Sequence, residues 1–296
     1  MNATPNPRPL NPRPLHPLRI AAINFLNPAP LMWDFEHPPL SAELAQRYQI
    51  DRMLPSECAD RLASGRADIG LVPIAALAAN PSLRVLPGCT IASRLRVRSL
   101  LLIHRAGQPI QSLRSVAADT ASRTTLAYSR ILFHHWGNPA VPFLPATADL
   151  DAMLQIADAA ILIGDPALLA LEDQANRKAR TGEELIYLDL AEEWVARMGV
   201  PFVSAVWGIA GAPGLDSETG ELMNHDFIQS RIHGLQNIST LVAEWASRIP
   251  IPEETIRTYL TTNIHYDLDE ECIEGMRVFF REAARLGVLP EYSLNL

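Results

Sequence analysis

Residues 55–73 read PSECADRLASGRADIGLVP, and the punctuation of this stretch sets the fold. Pro55 and Ser56 open a helix, with Ser56 as its expected N-cap, and Gly65 closes it. Ala67–Val72 then forms a short apolar strand that stops at Pro73. Helix, glycine, strand is a unit of a parallel sheet. Upstream, Leu18–Phe25 is an apolar run suited to a buried first strand. The loop Leu26–Leu31 follows, its backbone fixed by Pro28 and Pro30, with Asn27 just beyond the strand's carboxyl end. Downstream, Val97–His104 is apolar except at Arg98 and Ser99. Ser115–Ala118 is a short strand, and residues 119–125 lead into a helix ending at Gly137, with Tyr128, Leu132 and Trp136 on one face. Asp158–Ile163 is a strand stopped by Gly164-Asp165-Pro166. Leu185–Leu190 and Pro201–Ile209 are strands too. Beyond them the pattern is helical, over 221–249, 253–260 and 270–286.

Strands alternate with helices to about residue 210, and the chain is then helical. One strand near 97–104 leaves a first lobe and another near 202–209 returns to it. That describes a two-lobed α/β protein with a hinge and an interlobe cleft. The expected lobes are 18–102 with 205–296, and 103–204. Residues 1–17 hold six prolines and a tandem Asn-Pro-Arg-Pro-Leu repeat. Proline and arginine break every apolar stretch there, so a disordered, extended tail is expected and a secretory signal is not.

The chain has 296 residues, 48% hydrophobic and 20% charged, with a net charge of −8. This fits a globular protein with a sizeable core. The acidic balance argues against a nucleic-acid surface, and no apolar run approaches the length of a membrane span. Cys58, Cys89 and Cys272 make no disulfide framework, which fits a reducing, cytoplasmic setting. The histidines show no metal-binding spacing, so no metal is expected.

Small polar residues fall where open α/β sheets bind ligands, at strand ends and helix starts. They are Asn27, Ser56, Ser99 and the run Ser122, Arg123, Thr124 and Thr125. Helix N-termini favour anions, hydroxyls add donors and Arg123 adds a charge. One such serine alone reads as a cap. Their clustering with Asn27 and Ser99 makes a carboxylate site the better reading. Gly164 and Asp165 either line the same cleft or form a turn. Trp194 and Trp207 read as core.

In order, the chain carries Asn24-Phe25-Leu26-Asn27 with Pro30-Leu31, Gly65-Arg66-Ala67-Asp68-Ile69-Gly70, Ser99, Ser122-Arg123-Thr124-Thr125, and Ala159 through Leu168. Asp189-Leu190 with Trp194, Gly199-Val200-Pro201-Phe202 and Ala205-Val206-Trp207 complete the set. The ordered set resembles the chorismate dehydratases of the futalosine route to menaquinone. The resemblance implies a periplasmic-binding-protein-like (type II) fold, a cytoplasmic hydro-lyase without a cofactor, and chorismate as substrate. It implies catalytic roles for Asn27 and Ser99 and a carboxylate-binding loop at 122–125. Pro28 and Ser204 depart from the family pattern, which usually has a small residue and an aromatic there. The alternatives are the sibling 1,4-dihydroxy-6-naphthoate synthase, a non-catalytic small-anion-binding protein and a transcriptional effector domain. For the last there is no basic helix-turn-helix. Monomer and homodimer both remain open.

Overall fold

The structure is a computed structural model, which describes residues 16–119, 123–211 and 217–294. Most of the proline-rich tail and Ser122 lie outside the described residues. The strands are β1 (Leu18–Ile23), β2 (Tyr48–Met53), β3 (Ile69–Pro73), β4 (Arg84–Ser93), β5 (Leu100–Arg105), β6 (Val116–Asp119), β7 (Phe143–Ala146), β8 (Ala159–Ile163), β9 (Leu185–Asp189) and β10 (Phe202–Ile209). They form two five-stranded sheets, ordered β2-β1-β3-β10-β4 and β7-β6-β8-β5-β9. In each sheet four strands run in one direction, and the fifth lies antiparallel to its two neighbours. That strand is β10 between β3 and β4 in the first sheet, and β5 between β8 and β9 in the second.

The chain therefore passes between sheets twice, at 94–99 and at 190–201. Strand pairing puts Leu100–Leu102 in the second sheet and Phe202–Ser204 in the first, the reverse of their expected placing. β5 begins at Leu100 and β10 at Phe202, each inside its apolar run and close to the point where the chain enters the new sheet.

Period-two alternation explains why these strands read as unbroken apolar runs. Leu100 and Leu102 of β5 face the main core, while Leu101 and Ile103 face a second apolar layer in the same lobe. β8 does the same, with Ala159, Ile161 and Ile163 on one side and Ala160 and Leu162 on the other. A strand covered on both faces has no polar side to show.

Local signals account for the helices. The helix Pro55–Ala63 has proline at its first turn, so Leu54 is the N-cap and Ser56 lies inside the helix, not at its cap. Glu57 Oε2 accepts from the Leu54 N–H at 3.0 Å, which takes over the capping work. Gly65 has φ +68°, the left-handed turn that ends the helix. Asp189 caps the helix Leu190–Met198, and Asp269 caps the helix Glu270–Arg285. The expected continuous helix 221–249 is two helices, Ser217–Gln236 and Ile238–Ala246, parted at Asn237. The Asn237 side-chain amide Nδ2 donates to the His233 carbonyl at 2.8 Å, alongside its backbone N–H at 3.0 Å. Gly164-Asp165-Pro166 is no turn: it opens the helix Gly164–Glu172. Among the described residues no helix is long and apolar enough to cross a membrane.

Candidate active site

The carboxyl ends of β1, β3 and β8 converge where the chain crosses between lobes. A cavity of about 30 Å³ lies there. Its polar lining consists of Asn27, Ser99, Thr125 and Ser204, and its walls include Phe25 and Phe202. Among the described residues no charged side chain lines it. The volume has room for about two waters, so a ring-sized ligand enters only when the lobes part.

Asn27 is held by its loop and by a helix behind it. The Ala29 N–H donates to the Leu26 carbonyl at 3.0 Å, and the Leu31 N–H donates to the Pro28 carbonyl at 2.9 Å. Pro28 adopts φ −82° and ψ −4° and starts the 3-10 turn Ala29–Met32, so proline suits this position. The helix Ser217–Gln236 presses on that turn through Gly234, where an added Cβ would sit 2.1 Å from the Pro30 oxygen. The Ser230 hydroxyl donates to the Leu31 carbonyl at 2.9 Å. Asn27 Oδ1 ends up buried with no hydrogen-bond partner among the described residues. A buried amide oxygen left unpaired is costly, and this one belongs to a residue that lines the cavity.

Ser99 sits at the first crossing, just before β5, and is buried. Its carbonyl accepts from the Gly164 N–H at 2.8 Å. Its hydroxyl oxygen lies 2.8 Å from the Tyr259 hydroxyl. Tyr259 escaped the reading of the sequence. It lies in a helical stretch beyond the strands, and only the fold returns that stretch to the crossing.

The other expected site residues divide. Thr125 and Gly164 line the cavity. Thr124 does not line it: its hydroxyl accepts from the Ala75 N–H at 2.9 Å and stitches the second lobe to the first. Arg123 also does not line it. Its guanidinium pairs with Asp60 at 2.8 Å, half exposed, across the outer lip of the cleft. Ser56 is absent from the lining, where its neighbour Pro55 appears instead. Asp165 lies beside the cavity wall and bridges the lobes, accepting from the Leu26 N–H at 2.9 Å. Burial pushes its carboxyl up to about 6, against the opposing pull of that N–H. Gly164, at φ +61°, lets the second lobe approach Phe25, whose ring would lie 2.7 Å from any Cβ.

The hinge has its own lock. The Asp189 carboxylate accepts from Val97 and Arg98 N–H groups on one crossing and from Ala191 and Glu192 N–H groups on the other. Burial raises its carboxyl, and the four donors oppose the rise. Arg98 adopts φ +63°, rare for a residue with a side chain. Trp194 and Trp207 are fully buried core residues. Elsewhere, His265, Asp269 and Cys272 stand close together. Arg94 and the helix N–H of Cys272 already occupy the Asp269 carboxylate, so this cluster is an anchored helix cap.

Two sheets linked by two crossings, each with its antiparallel strand next to the cleft, define the class: a two-lobed, periplasmic-binding-protein-like fold. Solved structures agree. Protein AF1704 of Archaeoglobus fulgidus matches with a TM-score of 0.69 at 16% identity, over 93% of this chain and 99% of that one. The periplasmic aliphatic sulphonate binding protein SsuA of Escherichia coli matches with a TM-score of 0.60 at 13% identity, over 92% and 87%. Residues 18–285 match the family described as menaquinone biosynthesis, and the chain belongs to that family. The chorismate dehydratase of Thermus thermophilus is 27% identical over 254 residues, covering 83% of this chain and 90% of that protein.

Proposed function

We propose that this chain is a chorismate dehydratase that removes water from chorismate to give 3-(1-carboxyvinyloxy)benzoate on the futalosine route to menaquinone, in the cytoplasm and without a cofactor. The observation that carries the reading is that Asn27, whose buried Oδ1 has no hydrogen-bond partner among the described residues, lines one interlobe cavity together with Ser99 and Thr125. The named relative and the family support the choice of substrate.

The elimination needs little from the protein beyond placement. The proton on the ring carbon bearing the enolpyruvyl ether leaves, and its electron pair forms the new ring double bond. The neighbouring C–O bond breaks, with its pair going to oxygen. Among the described residues no titratable side chain lines the cavity, and in this reading the substrate's own enolpyruvyl carboxylate takes the ring proton and passes it to the departing hydroxyl, giving water. Asn27 and Ser99 hold the carboxylate or the hydroxyl in the reactive geometry, and such orientation supplies several kcal/mol. Fixed donors meet charge that grows on oxygen in the transition state. Thr125, in the first turn of the helix Arg123–His135, adds a hydroxyl at the positive helix end. Asp165 and Thr124 hold the lobes together, keeping bulk water from the cleft.

The test is incubation of the purified protein with chorismate, without added cofactor, followed by mass spectrometry and ultraviolet spectra. Loss of one water with the enolpyruvyl group retained is the expected result. Unchanged chorismate with folded protein overturns the reading and points to the sibling synthase. Asn27→Ala is expected to cut kcat/KM by about 100-fold or more while leaving the melting temperature near wild type, since Oδ1 has no partner to lose. Unimpaired turnover refutes its role.

A further inference from the structure

We propose that Tyr259 is a positioning residue for Ser99, donating its phenolic proton to Ser99 Oγ and so committing the serine's own proton to the substrate in the cavity. This rests on the reading of Ser99 as a group that holds chorismate.

Geometry selects the direction of the bond. Tyr259 is fully buried, and its oxygen lies 2.8 Å from Ser99 Oγ. Among the described residues, Ser99 is the hydrogen-bond partner found for that hydroxyl. A buried O–H left undonated carries the full desolvation penalty, so the phenol gives its proton to Ser99. Burial also drives the phenol far above its ordinary range, with the nearby Asp165 and Asp189 charges pushing the same way. It stays a neutral donor at every working pH. A serine hydroxyl has one proton to give and two lone pairs to receive with. One lone pair is taken by Tyr259, and the proton is free for a ligand oxygen. Each donated bond polarises the next, so Ser99 becomes a stronger donor than an isolated serine.

The backbone around Tyr259 marks the position as more than packing. Residues Tyr259–Asn263 form a single π turn between the helix Glu253–Thr258 and the strand-like bridge at His265. Such turns are rare and cluster at functional sites, because the extra residue re-aims side chains. Here the turn brings the phenol from the C-terminal helical segment to the first crossing, 160 residues away in sequence.

The experiment is a double-mutant cycle of Tyr259→Phe and Ser99→Ala on the full chain. Tyr259→Phe is expected to lower kcat for chorismate by about 5- to 10-fold, with KM nearly unchanged. In the Ser99→Ala background it is expected to have no further effect. Equal fold losses in both backgrounds, or a rise in KM at constant kcat, overturn the proposal. Should Tyr259→Phe fold poorly, 3-fluorotyrosine at position 259 keeps the ring and hydroxyl while sharpening the donor. A raised kcat supports the proposal, and an unchanged kcat overturns it. A readout independent of chorismate separates this proposal from the function. The slowly exchanging Tyr259 hydroxyl proton gives an NMR signal, assigned by its loss in Tyr259→Phe. It is expected to move in Ser99→Ala, and a fixed signal overturns the contact whatever the substrate.

Discussion

Replacing Asp165 by asparagine should stabilise the protein at neutral and alkaline pH and not at acid pH. In the folded chain burial raises the carboxyl to about 6 from an ordinary 3.8. A gap of about two units corresponds to about 3 kcal/mol, which is the upper bound on what the ionised group costs the closed protein. The folded state binds this proton more tightly than the unfolded state does. The penalty is therefore absent below about pH 3.8, grows as pH rises, and is fully present above about pH 6. At pH 4 the same linkage leaves about 0.5 kcal/mol. Asp165→Asn removes the charge but keeps an oxygen for the Leu26 N–H, which now lies 2.9 Å from the carboxylate. Urea unfolding of both proteins at pH 8 and pH 4 is the assay. With a slope near 3 kcal/mol per molar, the midpoint at pH 8 should rise by up to about 1 M, and the two midpoints should nearly coincide at pH 4. Other groups titrate alike in both proteins and cancel. A variant less stable at pH 8, or one equally stabilised at both pH values, would refute the argument that the buried charge is the cause.

Two further outcomes follow from the geometry. Gly234→Ala forces a methyl against the Pro30 carbonyl at 2.1 Å, so thermal denaturation should show a loss of about 2 kcal/mol or more, with turnover falling as the Asn27 loop shifts. Arg123→Ala removes a half-exposed pair with Asp60 and should change stability by less than about 1 kcal/mol. It should also leave KM for chorismate close to wild type in steady-state kinetics, where a large rise would return Arg123 to the cleft.

Much of the fold was legible because β1, β3, β5, β8 and β10 are covered on both faces and so read as apolar runs. What escaped lies at the margins of the sheets. β2, with the sequence Tyr48 to Met53, is an edge strand whose alternate residues meet solvent. β7 is the other sheet's edge and carries Pro145. β4 is also an edge strand, interrupted by Pro87 and Gly88 and paired to β10 through register shifts. Proline and glycine argue for loops locally, and edge pairing overrides them. Of the residues expected at the site, Asn27, Ser99, Thr125 and Gly164 line one cavity, as strand ends that point into a cleft would have them do. Arg123 and Thr124 lie outside that lining because the opposing lobe, through Asp60 and the Ala75 N–H, engages both. Tyr259 had no signal in the sequence: its meaning lies in a contact across 160 positions.

The placement of β10 between β3 and β4 bears on how the chain comes into being. During synthesis β3 and β4 emerge with a strand-wide gap between them, and the residue that fills it, Phe202, follows Ser93 by more than a hundred positions. The second sheet has no such debt, since β5 through β9 appear in one continuous stretch. The lobe that comes second in sequence is thus complete first, and the N-terminal lobe stays unfinished, with its strand edges open, until the ribosome has made the other. Nascent chains that have just exposed residue 200 outside the ribosome would carry a folded second lobe beside an aggregation-prone first one.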